Sequence, residues 1–173
     1  MKTSQAGLDL IKSFEGYRDR AYNDGCDVIT IGYGTTRYPN GYKIQIGDKC
    51  TKEQAEEYLA ADLKGAEQAV NNLVFAKELT QGQFDALVSF AYNAGVNALK
   101  SSTLYQKARV NPDDESIFNY NDKTPADSCE FLRWCKGTIL GKKVVMTGLV
   151  RRRQAEADLY SGKKGGVRPP KPH

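Results

Sequence analysis

A glutamate, an aspartate and a threonine fall close together near the start of the chain: Glu15, Asp24 and Thr30, in the run FEGYRDRAYNDGCDVITIGYGTT. A protonated carboxyl, a charged carboxylate and a hydroxyl are groups that together hydrolyse a glycosidic bond. One carboxyl protonates the leaving oxygen, and the other polar groups hold and activate the attacking water. Glu15 falls where a short amphipathic pattern stops at Gly16, Asp24 opens an Asp-Gly turn, and Thr30 lies in the β-prone stretch from Val28 to Ile31. An acid at a helix C-terminus meets the negative end of the macrodipole, which disfavours its anion and suits a group that must keep a proton. A nearby arginine would oppose that effect. Each residue also has a plainer reading: a solvated surface glutamate, a favoured hairpin pair, a β-branched strand residue. Their joint occurrence is what singles them out.

Composition narrows the chemistry further. The single histidine, His173, is the last residue. Ser-His-Asp and Cys-His catalysis are therefore excluded, and zinc sites built on histidine fall with them. No metal or organic cofactor is implied. Cysteines stand at 26, 50, 129 and 135, too unevenly spaced for a zinc ribbon. Cys26 and Cys50 flank the expected sheet and could come close, while Cys129 and Cys135 sit on poorly matched faces of an expected helix. Free thiols are the expectation for a protein made in a bacterial cytoplasm. A net charge of +4 and a pI near 8.8 suit an anionic cell envelope, but the excess is too small to point to nucleic acid. No stretch has the apolar length of a membrane span or the core of a signal peptide, so a soluble chain without stable membrane insertion is expected.

The surrounding pattern says how the three residues are positioned. Thr3 or Ser4 caps a first helix with Leu8, Leu10, Ile11 and Phe14 on one face. From Tyr22 to Ile46, β-branched and aromatic residues alternate with turn signals, which predicts a small antiparallel sheet. Gly32 and Gly34 belong to its tight hairpin; no lysine or helix follows them as a phosphate loop requires. Capping boxes at Thr51/Gln54 and Thr80/Gln83 open a long helix to about Asn72 and a nearly all-apolar helix over 81–94. Helices are expected near 102–109, 113–119 and 125–136, the last with Pro125 in its first turn, and from Thr147 to about Tyr160. Trp134 reads as core. Arg151, Arg152 and Arg153 read as a solvated helix face with one or two arginines turned inward. The basic, Pro- and Gly-rich tail 163–173 is expected to be disordered.

The spacing of Glu15, Asp24 and Thr30 resembles the catalytic signature of the phage-type lysozymes, glycoside hydrolase family 24. The segment from Gln83 to Gly95, QFDALVSFAYNAG, resembles that family's central helix. Phe131 to Trp134 and Gly148 to Arg153 resemble its C-terminal helices, so the likeness runs from about residue 4 to 160. It implies an α+β, mainly helical fold: a small antiparallel β-sheet lobe (about 15–60) and a helical lobe (about 73–160 plus the N-terminal helix), joined by a long helix, with the active-site cleft between them. Residues 1–162 would form the catalytic domain.

In function, the resemblance implies a muramidase of the endolysin type that cleaves peptidoglycan with inversion. Glu15 would be the acid, Asp24 and Thr30 would hold the water, and an arginine of the last helix, Arg152 by first choice, would orient Glu15. Where the family often carries a histidine after its hairpin, this chain has Thr35, so any pH response of that histidine is absent. The setting implied is host lysis by a monomer held in the host cytoplasm and released through a holin to the periplasm or cell wall. Some members carry an N-terminal signal-anchor, and Glu15 lies too near the start for one. A hydrolase of chitin-like chains and a non-catalytic peptidoglycan-binding protein are the alternatives.

Overall fold

Ser4 begins the first helix, α1 (Gln5–Glu15), by accepting a 3.4 Å hydrogen bond from the Gly7 amide. Gly16 ends it at φ +71°, a left-handed conformation open to glycine at no steric cost, with its amide bonded to the Lys12 carbonyl. The computed structural model describes residues 1–163 of the 173. The expected disordered tail therefore lies, from residue 164, outside the described residues. Those residues form six α-helices and two small antiparallel sheets of two strands each.

The chain divides into two compact units, one spanning Ile11–Gly65 and the other combining Met1–Leu10 with the chain from Ala66 onward. In the first unit, β1 (Arg18–Asn23) pairs with β2 (Ile29–Gly32), placing Tyr22 opposite Thr30 and leaving an irregularity between Arg18 and Tyr22. The sheet starts before the expected Tyr22, and isolated bridges Ile31↔Thr35, Arg37↔Lys43 and Arg20↔Lys49 continue it. The next helix, α2 (Lys52–Asn71), opens with the expected capping box: Gln54 N–H donates to Thr51 Oγ1 at 3.1 Å and Thr51 N–H to Gln54 Oε1 at 3.0 Å. Its stripe of Ala55, Leu59 and Leu63 is buried with Ile11, Ile31 and Ile44.

In the second unit, α3 (Gln81–Ala94) likewise starts from the Thr80/Gln83 capping box and ends at Gly95. Every residue from Gln83 to Ala91 is buried, as a central helix requires. After it come α4 (Val96–Ser101), α5 (Thr103–Val110), and α6 (Thr147–Ser161), which packs on α3. The helix α4 was not evident from the pattern, and the segment 113–119 holds only a 3-10 turn, Glu115–Ile117.

The expected helix over 125–136 does not form. Ser128 Oγ donates to the Pro125 carbonyl at 2.6 Å and accepts from Asn121 N–H, and Asp127 takes a left-handed φ of +60°. Such local side-chain bonds offer the backbone an alternative to helix. Only Phe131–Trp134 coils, as a 3-10 turn. A second unanticipated element comes next, the hairpin of β3 (Lys136–Ile139) and β4 (Lys142–Val145). All four cysteines are free thiols; Cys26 is exposed, and Cys50, Cys129 and Cys135 are buried.

Candidate active site

Glu15, Asp24 and Thr30 all belong to the Ile11–Gly65 unit. Glu15 is the half-buried last residue of α1. The chain just after it is pinned at Tyr17, whose Oη donates to the Cys50 carbonyl at 3.1 Å and whose ring packs on Tyr33 at 5.5 Å. Nearly one turn before Glu15, Lys12 pairs with Glu56 of α2 and sits 5.3 Å over the Tyr33 ring.

Asp24 is exposed and shapes its own turn. Its Oδ1 accepts from Cys26 N–H at 2.8 Å and from Val28 N–H at 3.3 Å, while its own amide donates to the Val28 carbonyl. Both of these side-chain bonds fall on one oxygen, Oδ1. Gly25 and Asp27 complete the turn at φ +91° and +58°. A few residues on, Thr30 is only 5% exposed. Its strand position is set by pairing with Tyr22, so its hydroxyl is carried on rigid sheet. Among the described residues, no cluster of three or more histidines, cysteines or acids is placed to hold a metal ion.

Beside the hairpin, Thr35 is fully buried and donates from Oγ1 to Asp62 Oδ2 at 2.7 Å. Burial raises the Asp62 pKa, and the Thr35 bond partly opposes the rise. An acid with a pKa higher folded than unfolded stabilises most below its unfolded value, about 4, and that contribution is lost as pH rises through the folded value. Asp62→Asn stays neutral and still accepts from Thr35. It is expected to raise Tm by about 2 °C near neutral pH and to leave Tm nearly unchanged near pH 3, read by thermal unfolding. A drop in Tm at neutral pH would mean that the charged Thr35 bond outweighs desolvation.

Arg152, in the other unit, is 4% exposed. Its Nη2 lies 3.4 Å from both the carbonyl and the Oγ of Ser89, and its Nε 3.5 Å from Glu156 Oε2. Arg153 is equally enclosed. Its guanidinium bonds Glu156 and Asn93, donates from Nε to the Trp134 carbonyl at 3.1 Å, and stacks 4.8 Å over Phe90. Arg151 faces solvent. Trp134, half-buried, meets Phe90 edge-on at 5.4 Å. Sequence patterns alone did not single out Glu156 or Asn93; three- and four-residue spacing from Arg153 and Arg152 was the available signal for Glu156. A groove of about 590 Å³ in this unit is lined by Asn93, Glu130, Arg133, Trp134, Lys136 and Arg153, among others. Glu15, Asp24 and Thr30 are not part of it.

The family model for phage lysozyme matches residues 12–156. The chain is 38% identical over 160 residues to the endolysin of Acyrthosiphon pisum secondary endosymbiont phage 1, covering 92% of this chain and 98% of that one. It is 42% identical over 162 residues to the endolysin of Bacillus phage B103, covering 92% of this chain but only 54% of that longer relative. Among solved structures, the endolysin of Escherichia coli O157:H7 phage FAHEc1 is 40% identical with a TM-score of 0.76, covering 92% of this chain and 93% of that one. The mainly helical architecture with two small antiparallel sheets matches that of this endolysin and of a P22 lysozyme mutant, which is 32% identical with a TM-score of 0.71, covering 92% of this chain and 98% of that one. The chain belongs to the phage lysozyme family and is an enzyme of the lysozyme, or muramidase, type.

Proposed function

We propose that this enzyme cleaves the β-1,4 bond between N-acetylmuramic acid and N-acetylglucosamine in bacterial peptidoglycan. Glu15 protonates the glycosidic oxygen as the bond to the anomeric carbon breaks. Asp24 accepts the proton of the attacking water, and Thr30 holds that water in line. The observation that carries this reading is the geometry of Asp24: two backbone donors anchor Oδ1 and fix the carboxylate at the exposed turn. Thr30 supports it, since a hydroxyl on a buried, paired strand is preorganised at the same hairpin. Attack by an enzyme-held water, with no covalent sugar intermediate, makes the reaction inverting.

In this reading residues 1–162 are the catalytic domain and Arg152 is the supporting arginine. The protein acts as a monomer on the cell wall during host lysis, reaching it from the cytoplasm through a holin. The bond specificity is tested by digesting purified peptidoglycan and identifying the products by mass spectrometry, with chitin oligomers in parallel. N-acetylmuramic acid at the new reducing ends, with chitin left intact, is expected. N-acetylglucosamine at those ends, or comparable cleavage of chitin, would overturn the assignment. Early NMR spectra showing the α-anomer first would mark inversion; the β-anomer first would mark retention.

A further inference from the structure

The β3–β4 hairpin carries none of the residues assigned to this chemistry, yet its tip is unusual. Pairing runs from Lys136↔Val145 to Ile139↔Lys142 and closes on a two-residue loop, Leu140-Gly141. Both loop residues have positive φ, +50° and +78°. That is the type I′ pattern, whose first position favours Asn, Asp or Gly because a larger side chain crowds the left-handed backbone. Leucine occupies it here, and Leu140 is 98% exposed. No burial within the fold offsets the backbone strain, so the apolar tip is held outward at an energetic disadvantage.

The rest of the hairpin matches the tip. Ile139 is 51% exposed, and Val144 and Val145 are exposed as well. The segment 136–146, KGTILGKKVVM, carries lysines at 136, 142 and 143 and no acid. Lys136 pairs with Asp127 at 3.3 Å, while Lys142 and Lys143 meet no carboxylate among the described residues. A surface that is negative on its outside and apolar just beneath would complement this arrangement. A hydrated, acidic wall polymer answers the lysines but offers Leu140 nothing to enter.

We propose that the β3–β4 hairpin docks on anionic lipid bilayers, Leu140 and Ile139 entering the headgroup–acyl boundary while Lys142 and Lys143 meet lipid phosphates. The lysines add electrostatic attraction to a shallow apolar wedge, a combination that gives reversible surface binding. Insertion stops at the interface. Four-residue strands are less than half the length that a membrane-spanning strand needs, about ten residues. Among the described residues no helix is long and apolar enough to cross a bilayer.

The test uses the full chain and cosedimentation with vesicles of pure phosphatidylcholine or with about 30% phosphatidylglycerol. Binding at least about tenfold greater on the anionic vesicles is expected, falling as salt rises. Leu140→Asn is expected to lower that binding at least about fivefold while Tm holds or rises, because Asn-Gly suits the turn. Its hydrolysis of soluble peptidoglycan fragments stays at the wild-type rate. A double Lys142→Gln, Lys143→Gln variant should lose most of the salt dependence. Absent binding, equal binding to both vesicle types, or wild-type binding by Leu140→Asn would each overturn the proposal.

Discussion

Glu15→Gln is expected to slow the release of reducing ends from purified peptidoglycan by about a thousandfold or more, with Tm and sacculus binding unchanged. The amide keeps the shape and the hydrogen-bonding reach of the acid but has no proton to give the departing oxygen. Because Glu15 stands half-buried at the last turn of α1, the substitution leaves no cavity. Asp24→Asn separates charge from architecture in the same way. Its side-chain oxygen still accepts from Cys26 and Val28 N–H, so the turn persists while the proposed base for water is lost. A fall of about a hundredfold in kcat with little change in KM is expected there. Thr30→Val, which preserves shape on the paired strand, should cost about tenfold, the share of a single water-holding hydroxyl. Activity of Glu15→Gln above about one tenth of wild type would require another acid and would end this assignment.

Glu156→Gln is expected to have the largest effect on stability, lowering Tm by about 10 °C through a loss of about 3–5 kcal/mol. The carboxylate is completely buried and serves three partners: Arg152, Arg153 and Ser89, whose hydroxyl donates to Oε2 at 2.6 Å. A neutral amide removes the negative charge that both buried guanidiniums face in Glu156, and their desolvation is then less well compensated. Removed from solvent, the network should respond little to added salt. Arg151→Gln, on the exposed side of the same helix, should shift Tm by no more than about 2 °C. Thermal unfolding followed by circular dichroism reads all of these. Equal shifts for Glu156→Gln and Arg151→Gln would show that the buried pairs contribute nothing beyond surface charge.

The two substitutions draw on different kinds of information. For Glu15, the helix stop at Gly16 and the nine-residue step to Asp24 lie within one short stretch, and local rules read them. The capping boxes at Thr51/Gln54 and Thr80/Gln83 were legible for the same reason: each closes within three residues, through bonds the chain makes wherever it starts a helix. Apolar stripes such as Ala55, Leu59 and Leu63 announced their buried faces. The roles proposed for Asp24 and Thr30 rest on family resemblance, because Asp-Gly and a β-branched residue are by themselves ordinary turn and strand chemistry.

By itself, then, the sequence determined the main helices, the capping boxes of α2 and α3, the first hairpin and the family. Only the tertiary structure decided what depends on partners distant along the chain. Glu156 became the anchor of two arginines by meeting Ser89, 67 positions away. Thr35 became the partner of Asp62 across 27 positions. Residues 125–136 left the helix their pattern suggested once the bonds of Ser128 and the left-handed Asp127 set another path. Which of three consecutive arginines turns inward, and whether Leu140 stands alone at a hairpin tip, depend on the groups that pack beside them. Periodicity along a chain records a preference for burial or turn, while the partner that satisfies it is chosen by packing in three dimensions.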